Sequence, residues 1–464
     1  EVKPMQLDQV ISILNQVPDY QVFLTVDELN QSAHRLAEQY PQAVKCMEIG
    51  RSRADDPIYA LKIGSGKRTA LMFAMPHPNE PIGSMMLEFL TEKLAGDDAF
   101  RDELDTTWYI VKCIDVDGTR LNEGWFKGPF TVSNYARHYY RPPGYEQVEW
   151  SFPIDYKTLK FDQPLPETRA LMKLIEEIKP DFMFSLHNSG FGGVYMYLSN
   201  DLPDFYPDFY RLVQSQDLPL HLGEPEVPYA RKFSDAVFGM IGAADGYDFL
   251  EKNTNEDPAK VIKSGSSSYE YACRFADPLF LVCEMPYFYN PAINDTTTTS
   301  EIKRDLILAN VQEDRKHLQK MKEILDPIWP MLTLNNAFRE TVDHFLKTAE
   351  FNYTAQENWA KNDPSLDANA SVAEKFDNEL GSRFYELLGL GTAVRMLKAQ
   401  MTVDGDEPAL LQAHEALQTY FDEKAAMLEE ALAYEVIPIK KLAGVQLGCA
   451  LLLASDYAGI NTRE

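Results

Sequence analysis

The chain has 464 residues, 45% of them hydrophobic, which is enough for a large buried core and for two or three domains. Lys and Arg number 44 against 71 Asp and Glu, and the resulting net charge of -27 would repel the phosphate backbone of nucleic acid and anionic membrane surfaces. No apolar run has the length needed to span a bilayer, so we expect neither a nucleic-acid partner nor a membrane partner.

The first forty residues are predicted to form helices and connectors. The clearest helix covers Thr25–Tyr40, because Thr25 and Glu28 form a capping box and apolar residues follow at helical spacing. Two short strand-like runs come next, Val44–Ile49 and Ile58–Ile63, and a turn-rich stretch separates them. This pattern predicts a β-hairpin.

A strand end with two candidate metal ligands follows the hairpin. The apolar run Ala70–Pro76 has the length of a strand, and a helix is predicted over Pro81–Leu94. His77 and Glu80 stand between these two elements. Open α/β sheets place their chemistry at the carboxyl ends of strands, because the loops that leave the strands form a crevice there.

The next buried strand, Thr107–Val116, is predicted from its β-branched and aromatic residues. It leads into Asp117-Gly118-Thr119-Arg120, which places Arg120 just after a strand. From there to about Pro166 the sequence is rich in Gly, Pro and aromatic residues without a sustained period, which predicts a long functional loop region. A helix then begins at Pro166 and reaches Ile178.

Two further strands end at residues that can carry chemistry. The apolar run Asp181–Leu186 leads directly to His187, and the run Leu279–Cys283 ends at Glu284. Between them, Val194–Leu198 also has strand character. Strands that alternate with helices predict an α/β fold with its crevice at the strand ends.

The character of the sequence changes after about residue 300. Segments with helical periodicity follow one another there, with no predicted strand between them: Glu301–Leu325, Ala337–Ala349, Val372–Gln400 and Pro408–Tyr434. We therefore predict an α/β domain over residues 1–330, which includes the helices in about the first 40 residues, and an all-helical domain over residues 331–464.

Three residues at the strand ends match the ligand requirements of zinc. A catalytic zinc site needs three protein ligands and an open position for water, and His and carboxylate side chains are its usual ligands. His77, Glu80 and His187 meet this requirement. A nearby carboxylate must accept the proton of the water, and Glu284 at another strand end is placed for that role. These residues together predict a zinc hydrolase site.

The cysteines are odd in number, scattered and mostly set in apolar surroundings: Cys46, Cys113, Cys273, Cys283 and Cys449. This usage is typical of reduced, buried thiols in an intracellular protein, so we expect a cytoplasmic location. No signal peptide is visible, but the chain begins at Glu1 without a methionine, which is compatible with a processed amino terminus.

The ordered set of motifs resembles the carboxypeptidase A-type zinc metallocarboxypeptidases. That family has an H-x-x-E motif, an Asp-Gly segment with an Arg, a distant single His and a final Glu. The matching segments here are His77–Glu80, Asp117–Arg120, Ser185–Asn188 and Leu281–Glu284, and Pro166–Ala170 resembles a helix start of the family. The resemblance covers roughly residues 40 to 320 and implies a mixed sheet flanked by helices, to which the helical domain is added.

The resemblance implies a role for each matching residue. His77, Glu80 and His187 would bind one Zn2+, and Glu284 would act as general base and then as general acid. Arg120 would polarise the scissile carbonyl and stabilise the oxyanion, which is typically worth about 3 kcal/mol or more. The implied enzyme is a zinc metallopeptidase, that is, a metalloprotease of the carboxypeptidase type.

Two features depart from the family pattern. The family grips the free carboxylate of its substrate with an Asn and an Arg, but the corresponding stretch here, Gln147–Pro153, contains neither. Arg137 and Arg141 either replace the absent Arg as substrate-binding residues or form a solvated basic patch. The mobile Tyr of the family has no clear match, and Tyr269 either lines the substrate pocket or packs in the core.

The sequence thus predicts a zinc-dependent, metallocarboxypeptidase-like hydrolase that cleaves a peptide or amide bond with activated water and a Glu general base. An alternative on the same fold is a deacylase or amidohydrolase that acts on an N-acyl amino acid or a modified peptide, which the missing Asn-Arg pair favours. A third hypothesis is an inactive binding or scaffold protein that uses its helical domain. The intact set of ligands and Glu284 argue against the third hypothesis.

Overall fold

The computed structural model describes residues 4–405 and 407–460, with side chains described as far as residue 455. Residues 1–3, 406 and 461–464, which the predicted domain ranges include, lie outside the described residues. Within the described ranges, no helix combines the length and the apolar character that a membrane span requires.

A mixed nine-stranded sheet forms the centre of the molecule, with the strand order β1-β2-β4-β3-β7-β11-β8-β10-β9. The strands of the chain are β1 (Val44–Arg51), β2 (Pro57–Ile63), β3 (Arg68–Ala74), β4 (Thr106–Val111), β5 (Ile154–Tyr156), β6 (Leu159–Phe161), β7 (Phe182–His187), β8 (Tyr195–Leu198), β9 (Lys232–Ser234), β10 (Val237–Gly239), β11 (Leu279–Glu284), β12 (Phe288–Tyr289), β13 (Thr298–Ile302), β14 (Asn369–Ser371) and β15 (Glu435–Val436). Strands β4, β3, β7 and β11 are mutually parallel, and β2 and β8 join this group in antiparallel fashion.

The helices surround this sheet and extend beyond it. They are α1 (Leu7–Leu14), α2 (Val26–Gln39), α3 (Ile82–Gly96), α4 (Asp98–Leu104), α5 (Val116–Phe126), α6 (Val132–His138), α7 (Pro166–Ile178), α8 (Tyr206–Ser215), α9 (Ala243–Asn253), α10 (Ser268–Ala272), α11 (Lys303–Leu325), α12 (Ala337–Asn362), α13 (Val372–Phe376), α14 (Ser382–Asp404), α15 (Pro408–Ala431) and α16 (Ile439–Ile460). The predicted mixed sheet flanked by helices is confirmed, and so are the hairpin of β1 and β2 and the capping box of Thr25 and Glu28.

The central strands are buried along their whole length and end at polar residues. Every residue of β7 and β11 is buried, as expected for parallel strands that have helices on both faces. In the register of this pair, His187 lies opposite Glu284. The parallel direction of β3, β7 and β11 therefore brings the carboxyl ends of all three strands to one edge of the sheet.

The stretch that is predicted as a long loop after Asp117 contains two α-helices and a small hairpin. The strand before it ends at Val111, and the Asp115 side chain accepts a hydrogen bond from the backbone N–H of Gly118, 2.9 Å away, which caps α5. Helices α5 and α6 and the small β5–β6 hairpin occupy much of this region. Arg120 consequently lies within a helix and not on a loop at a strand end.

The helices after residue 330 share a hydrophobic core with the sheet. One cluster of buried apolar residues extends from Met5 to Ala454, and α16 packs beside α3 and against β7. Residue 330 therefore does not separate two cores.

The expectation that no strand occurs after residue 330 is wrong, because β14 pairs with β13 and β15 pairs with β12. All five cysteines are free; Cys113, Cys283 and Cys449 are buried as expected, whereas Cys273 is exposed and Cys46 is only partly buried.

Gln446 on α16 links the last helix to the ends of the central strands. It is completely buried, and its Nε2 donates hydrogen bonds to the carbonyls of His187 and Cys283, at 2.8 and 3.2 Å. Removal of a buried donor typically costs about 1–3 kcal/mol. We therefore expect Gln446→Leu to lower the free energy of unfolding by about that amount. Denaturant titration checks this value, with Gln412→Leu on the exposed side of α15 as the control. An unfolding midpoint equal to that of the control would contradict the role of Gln446.

Candidate metal centre and its cleft

The structure brings His77, Glu80 and His187 together at the carboxyl ends of β3 and β7. The Nδ1 atoms of the two imidazoles are 3.1 Å apart, the Nδ1 of His77 is 3.1 and 3.2 Å from the two Glu80 oxygens, and the Nδ1 of His187 is 3.1 Å from Glu80 Oε2. All three residues are at least nine-tenths buried. Three potential ligand atoms therefore converge on one point.

The chemistry and spacing of these atoms fit a zinc ion. Two imidazole nitrogens and one carboxylate are a usual protein ligand set for catalytic zinc. Ligand atoms held tetrahedrally at zinc distances of about 2.0–2.1 Å lie roughly 3.3–3.4 Å from one another, close to the separations observed here. The three residues form a group of mutually close metal-ligating side chains.

The backbone at the end of β3 turns sharply to present His77 and Glu80. Met75 has a φ of 56°, and its carbonyl accepts a hydrogen bond from the N–H of Asp115, 3.2 Å away. Asn188 then fixes the loop that follows, because its Oδ1 accepts from the N–H of Ile82 at 3.0 Å and its own N–H donates to Glu80 Oε2 at 3.2 Å. Glu80 is thus held in place from the adjoining strand end.

The Nε2 side of the His187 ring contacts groups that were not predicted as site residues from the sequence. Its Nε2 lies 2.8 Å from the Ser185 hydroxyl and 3.9 Å from Glu149 Oε2. Glu149 in turn accepts hydrogen bonds from the Ser185 hydroxyl and from the backbone and hydroxyl of Ser268. Such partners of a ligating His fix its ring orientation and raise its basicity.

The ionisation of the two histidines is pushed in opposite directions. Burial, together with the neighbouring Arg141 guanidinium, lowers the pKa of His77 to about 4. Burial also disfavours the charged form of His187, but the carboxylates of Glu149 and Glu80 outweigh it and raise its pKa to about 10. A cation that binds here at neutral pH must therefore displace a proton from His187.

Glu284 lies beside this cluster at the end of β11. Its Oε1 is 3.9 Å from His187 Nδ1, and the side chain is largely buried. Burial raises the pKa of Glu284 well above its ordinary value, and the charge of Glu80 adds to the effect. A carboxylate with a raised pKa is a stronger proton acceptor, as a general base requires.

Arg141 is the predicted arginine that reaches the cluster. Its Nη1 donates to Glu80 Oε1 and its Nη2 approaches His77 Nε2, both at 3.0 Å. One guanidinium thus contacts two candidate ligands and remains 28% exposed toward the cleft. Its charge is available for a negatively charged group that forms next to the cluster.

The structure does not bring Arg120, Arg137 or Tyr269 to the cluster. Arg120 forms ion pairs with Asp27 at 2.8 Å and with Asp56 at 2.9 Å, because the helical turn of α5 directs it there. The structure therefore does not support Arg120 as the carbonyl-polarising cation.

The other two predicted substrate-binding residues pack elsewhere. Arg137 pairs with Asp422 of α15 at 2.6 Å, and its guanidinium lies over the ring of Phe421. Tyr269 packs its ring against Phe280, with the centroids 5.2 Å apart, so the core-packing alternative holds for it. Neither of these contacts involves a residue of the cluster.

Two cavities open from the cluster. The larger measures about 800 Å³ and includes Glu80, Arg141 and Glu284 in its lining, and the smaller measures about 490 Å³ and includes His77 and His187. Helical residues from the second half of the chain form one wall of the larger cavity, among them Asn378 and Tyr385. Tyr385 is 50% exposed although its neighbours are packed, because its ring faces this space. No pattern in the sequence indicates that these residues form a cavity wall.

Part of the chain that lines this cleft matches a known family model. Residues 29–217 match the family model described as zinc carboxypeptidase, a range that contains His77, Glu80, Arg141 and His187 and ends before Glu284. A comparison with curated proteins found no match.

The solved structures that resemble this one are metallocarboxypeptidases and related proteins. The carboxypeptidase A from Helicoverpa armigera is 16% identical, with 61% of this chain and 71% of that chain covered and a TM-score of 0.38. A metallo-carboxypeptidase from Burkholderia cenocepacia is 21% identical, with 59% and 61% covered and a TM-score of 0.34. Bovine thrombin-activatable fibrinolysis inhibitor is 13% identical, with 57% and 87% covered and a TM-score of 0.35. Over residues 29–217, this chain is therefore similar to the zinc carboxypeptidase family.

Proposed function

We propose that this protein is a zinc-dependent hydrolase that cleaves a peptide or amide bond, with Glu284 as the general base. The observation that carries the proposal is the convergence of His77 Nδ1, Glu80 and His187 Nδ1 within 3.1–3.2 Å, beside a buried carboxyl and at the floor of a large cavity. The match of residues 29–217 to the zinc carboxypeptidase family model supports the peptidase-like class.

His77, Glu80 and His187 would hold the zinc ion. When bound, zinc supplies Lewis-acid chemistry that polarises the scissile carbonyl and makes a water molecule acidic enough to attack it. Glu284 takes the proton of that water at its carboxylate and later gives it to the leaving amine. Arg141 orients Glu80 and His77, and it places a positive charge where the attacked carbonyl oxygen becomes negative.

A second candidate is a deacylase or an endo-acting peptidase. It is favoured because the cleft has few cations that could bind a free carboxylate of the substrate. Among the described residues that line the larger cavity, Arg141 and Lys303 are the only Lys or Arg side chains. Arg141 contacts Glu80 and is assigned to the carbonyl oxygen under attack, and Lys303 forms an ion pair with Glu374. A buried free carboxylate needs a cation of its own, so the lining favours substrates that have no free carboxylate at the cleaved end.

A substrate screen tests the proposal. The zinc-loaded protein is assayed on matched peptides with a free or an amidated carboxyl terminus and on N-acyl amino acids, before and after removal of metal by a chelator. Hydrolysis that disappears with the metal and returns with zinc supports the proposal. Absence of metal-dependent hydrolysis on every substrate class would contradict it and favour the inactive binding protein. A strict requirement for the free carboxylate would exclude the endo-acting peptidase.

The alanine variants of Arg141 and Arg120 can be compared to test which residue is the polarising cation. We expect Arg141→Ala to lower kcat/KM about a hundredfold or more, because a charged donor aimed at the developing oxyanion is lost. Arg120→Ala removes only the pairs with Asp27 and Asp56, and we expect a change of no more than about twofold, since exposed ion pairs contribute little. Steady-state kinetics on one substrate measures both. The opposite order of effects would restore Arg120 to the site.

A further inference from the structure

Glu226 is a carboxylate of the cleft that the proposed mechanism does not use. It is exposed, and it belongs to the lining of both the 800 Å³ and the 490 Å³ cavity. Its Oε2 accepts a hydrogen bond from the hydroxyl of Tyr197 at 2.9 Å. Among the described residues, no Lys, Arg or His nitrogen lies within 4.0 Å of it, so this carboxylate has no cation partner in the protein.

The strand pairing places Glu226 close to the reacting groups. Tyr195 lies opposite Glu284 in the pairing of β8 with β11, and Tyr197 stands two residues further along the same face of β8. The charge of Glu226 is near enough to raise the pKa of both Glu284 and Arg141. A substrate group bound at Glu226 is therefore adjacent to the bond that Glu284 would help to cleave.

Other unsatisfied groups in the larger cavity also point to a ligand with hydrogen-bond donors. The Asn79 Oδ1 and Ser189 Oγ atoms are buried and have no partner among the described residues. Asn79 is 4% exposed and Ser189 is 7% exposed, and both line the cavity. An orphaned carbonyl oxygen requires a donor, and buried polar groups are almost always satisfied once the natural ligand is bound.

The balance of charge in the larger cavity is acidic. Its lining contains the carboxylates Glu80, Glu224, Glu226, Glu284, Glu374 and Asp377, against Arg141 and Lys303. Asp377 faces His221 at 3.1 Å, and Glu374 pairs with Lys303. Burial raises the pKa of Glu224 to about 7, and Asn378 donates a hydrogen bond to its Oε1, so this acid is already satisfied locally. Glu226 is therefore the carboxylate of the set that is left for an incoming cation.

The smaller cavity supplies an apolar surface next to this carboxylate. Its lining includes Tyr229, Met240, Phe249 and Leu250. Lysine and arginine side chains bury their methylene stems against apolar surface while the charged end stays at a polar site. The apolar part of this 490 Å³ cavity, with the Glu226 carboxylate beside it, suits the stem and the charge of such a side chain.

We propose that Glu226 is a specificity-determining residue that binds the ammonium or guanidinium of a basic side chain in the substrate, with the stem of that side chain in the smaller cavity. This inference deepens the proposed function and rests on it for the position of the cleaved bond. The substrate class it names is a peptide with Lys or Arg next to the scissile bond.

The test uses pairs of peptides that differ in one charge. Hexapeptides of alanine, acetylated and amidated, carry either Lys or norleucine at each position in turn. We expect wild-type kcat/KM to favour Lys over norleucine by about tenfold or more at one position, because a charge-assisted hydrogen bond is gained. Glu226→Gln should bring this ratio close to one, whereas Glu226→Asp should keep part of it. The control is Glu435→Gln, since Glu435 also accepts from a tyrosine hydroxyl, that of Tyr289 at 2.9 Å, but lies outside both cavities.

A binding measurement separates failure of this inference from failure of the proposed function. Calorimetry compares the Lys and norleucine peptides on Glu284→Gln, alone and combined with Glu226→Gln. Lys-selective binding that Glu226→Gln abolishes supports the inference, even where the wild type shows no turnover and the proposed function fails. Equal binding of both peptides, no binding of either, or Lys selectivity that survives Glu226→Gln would overturn the inference, whatever the turnover on other substrates.

Discussion

Glu284→Gln is expected to lower kcat by about a hundredfold or more while the protein keeps its fold and its zinc. The amide is nearly isosteric with the carboxyl group, but it cannot accept the proton of the attacking water. Glu284 is also not one of the three converging ligands, so its loss leaves the donor set of His77, Glu80 and His187 intact. Single-turnover kinetics measures the chemical step directly.

The controls for Glu284→Gln are zinc content and thermal stability, both of which should match the wild type. Turnover within a few-fold of the wild type on a validated substrate would show that another carboxylate moves the proton. In that case Glu226, which lies close to the same groups, would be the next carboxylate to replace.

His187→Ala is expected to abolish stoichiometric zinc binding and with it all metal-dependent hydrolysis. A catalytic zinc site depends on three protein ligands, and the remaining His77 and Glu80 offer only two. Zinc per chain is measured after dialysis against a weak chelator. The wild type should also lose thermal stability when its metal is removed, because a ligand that binds only the folded state stabilises it, and the variant should show no such shift.

His34→Ala serves as the matched control for the zinc measurement, since His34 is exposed and packs only its ring edge against Tyr59. It should retain zinc and activity at wild-type levels. Undiminished zinc in His187→Ala would mean that the metal is held elsewhere, and the cluster at the strand ends would then be structural.

The site residues at strand ends could be predicted from the sequence, because the pattern of buried apolar residues determines where each strand ends. Buried parallel strands read as continuous apolar runs, so the ends of β3, β7 and β11 were placed within one or two residues of those observed. His187 and Glu284 lie side by side because their strands are neighbours and pair in that register. The strand order and the pairing register depend on tertiary packing, and no local sequence pattern specifies them.

Arg120 was misplaced because a single capping interaction changed the local structure. The Asp-Gly segment was taken to continue from a strand into a loop, but the side chain of Asp115 caps a helix there. Asp is a favoured N-cap residue, so Asp115 was an available signal. Arg141, by contrast, lies in an irregular stretch between α6 and β5, where the sequence has no period from which its direction could be derived.

The last helix and the cleft wall differ in how far they can be predicted from the sequence. The run Leu442–Ala454 is apolar all round, a pattern typical of a helix buried on every side, so α16 and its burial could have been predicted. Glu149, Glu226 and Tyr385 could not, because they are ordinary residues of loops and helices that become functional candidates only through contacts between segments distant in the sequence.

Anomalous diffraction from crystals of the zinc-loaded protein, recorded on both sides of the zinc absorption edge, tests whether zinc binds at these strand ends. We expect one strong zinc peak bonded to His77 Nδ1, Glu80 and His187 Nδ1, with Glu284 and Arg141 beside it but not bonded to the metal. A zinc peak at another group of residues, or no zinc peak at this cluster in protein that hydrolyses a peptide or amide bond, would contradict it.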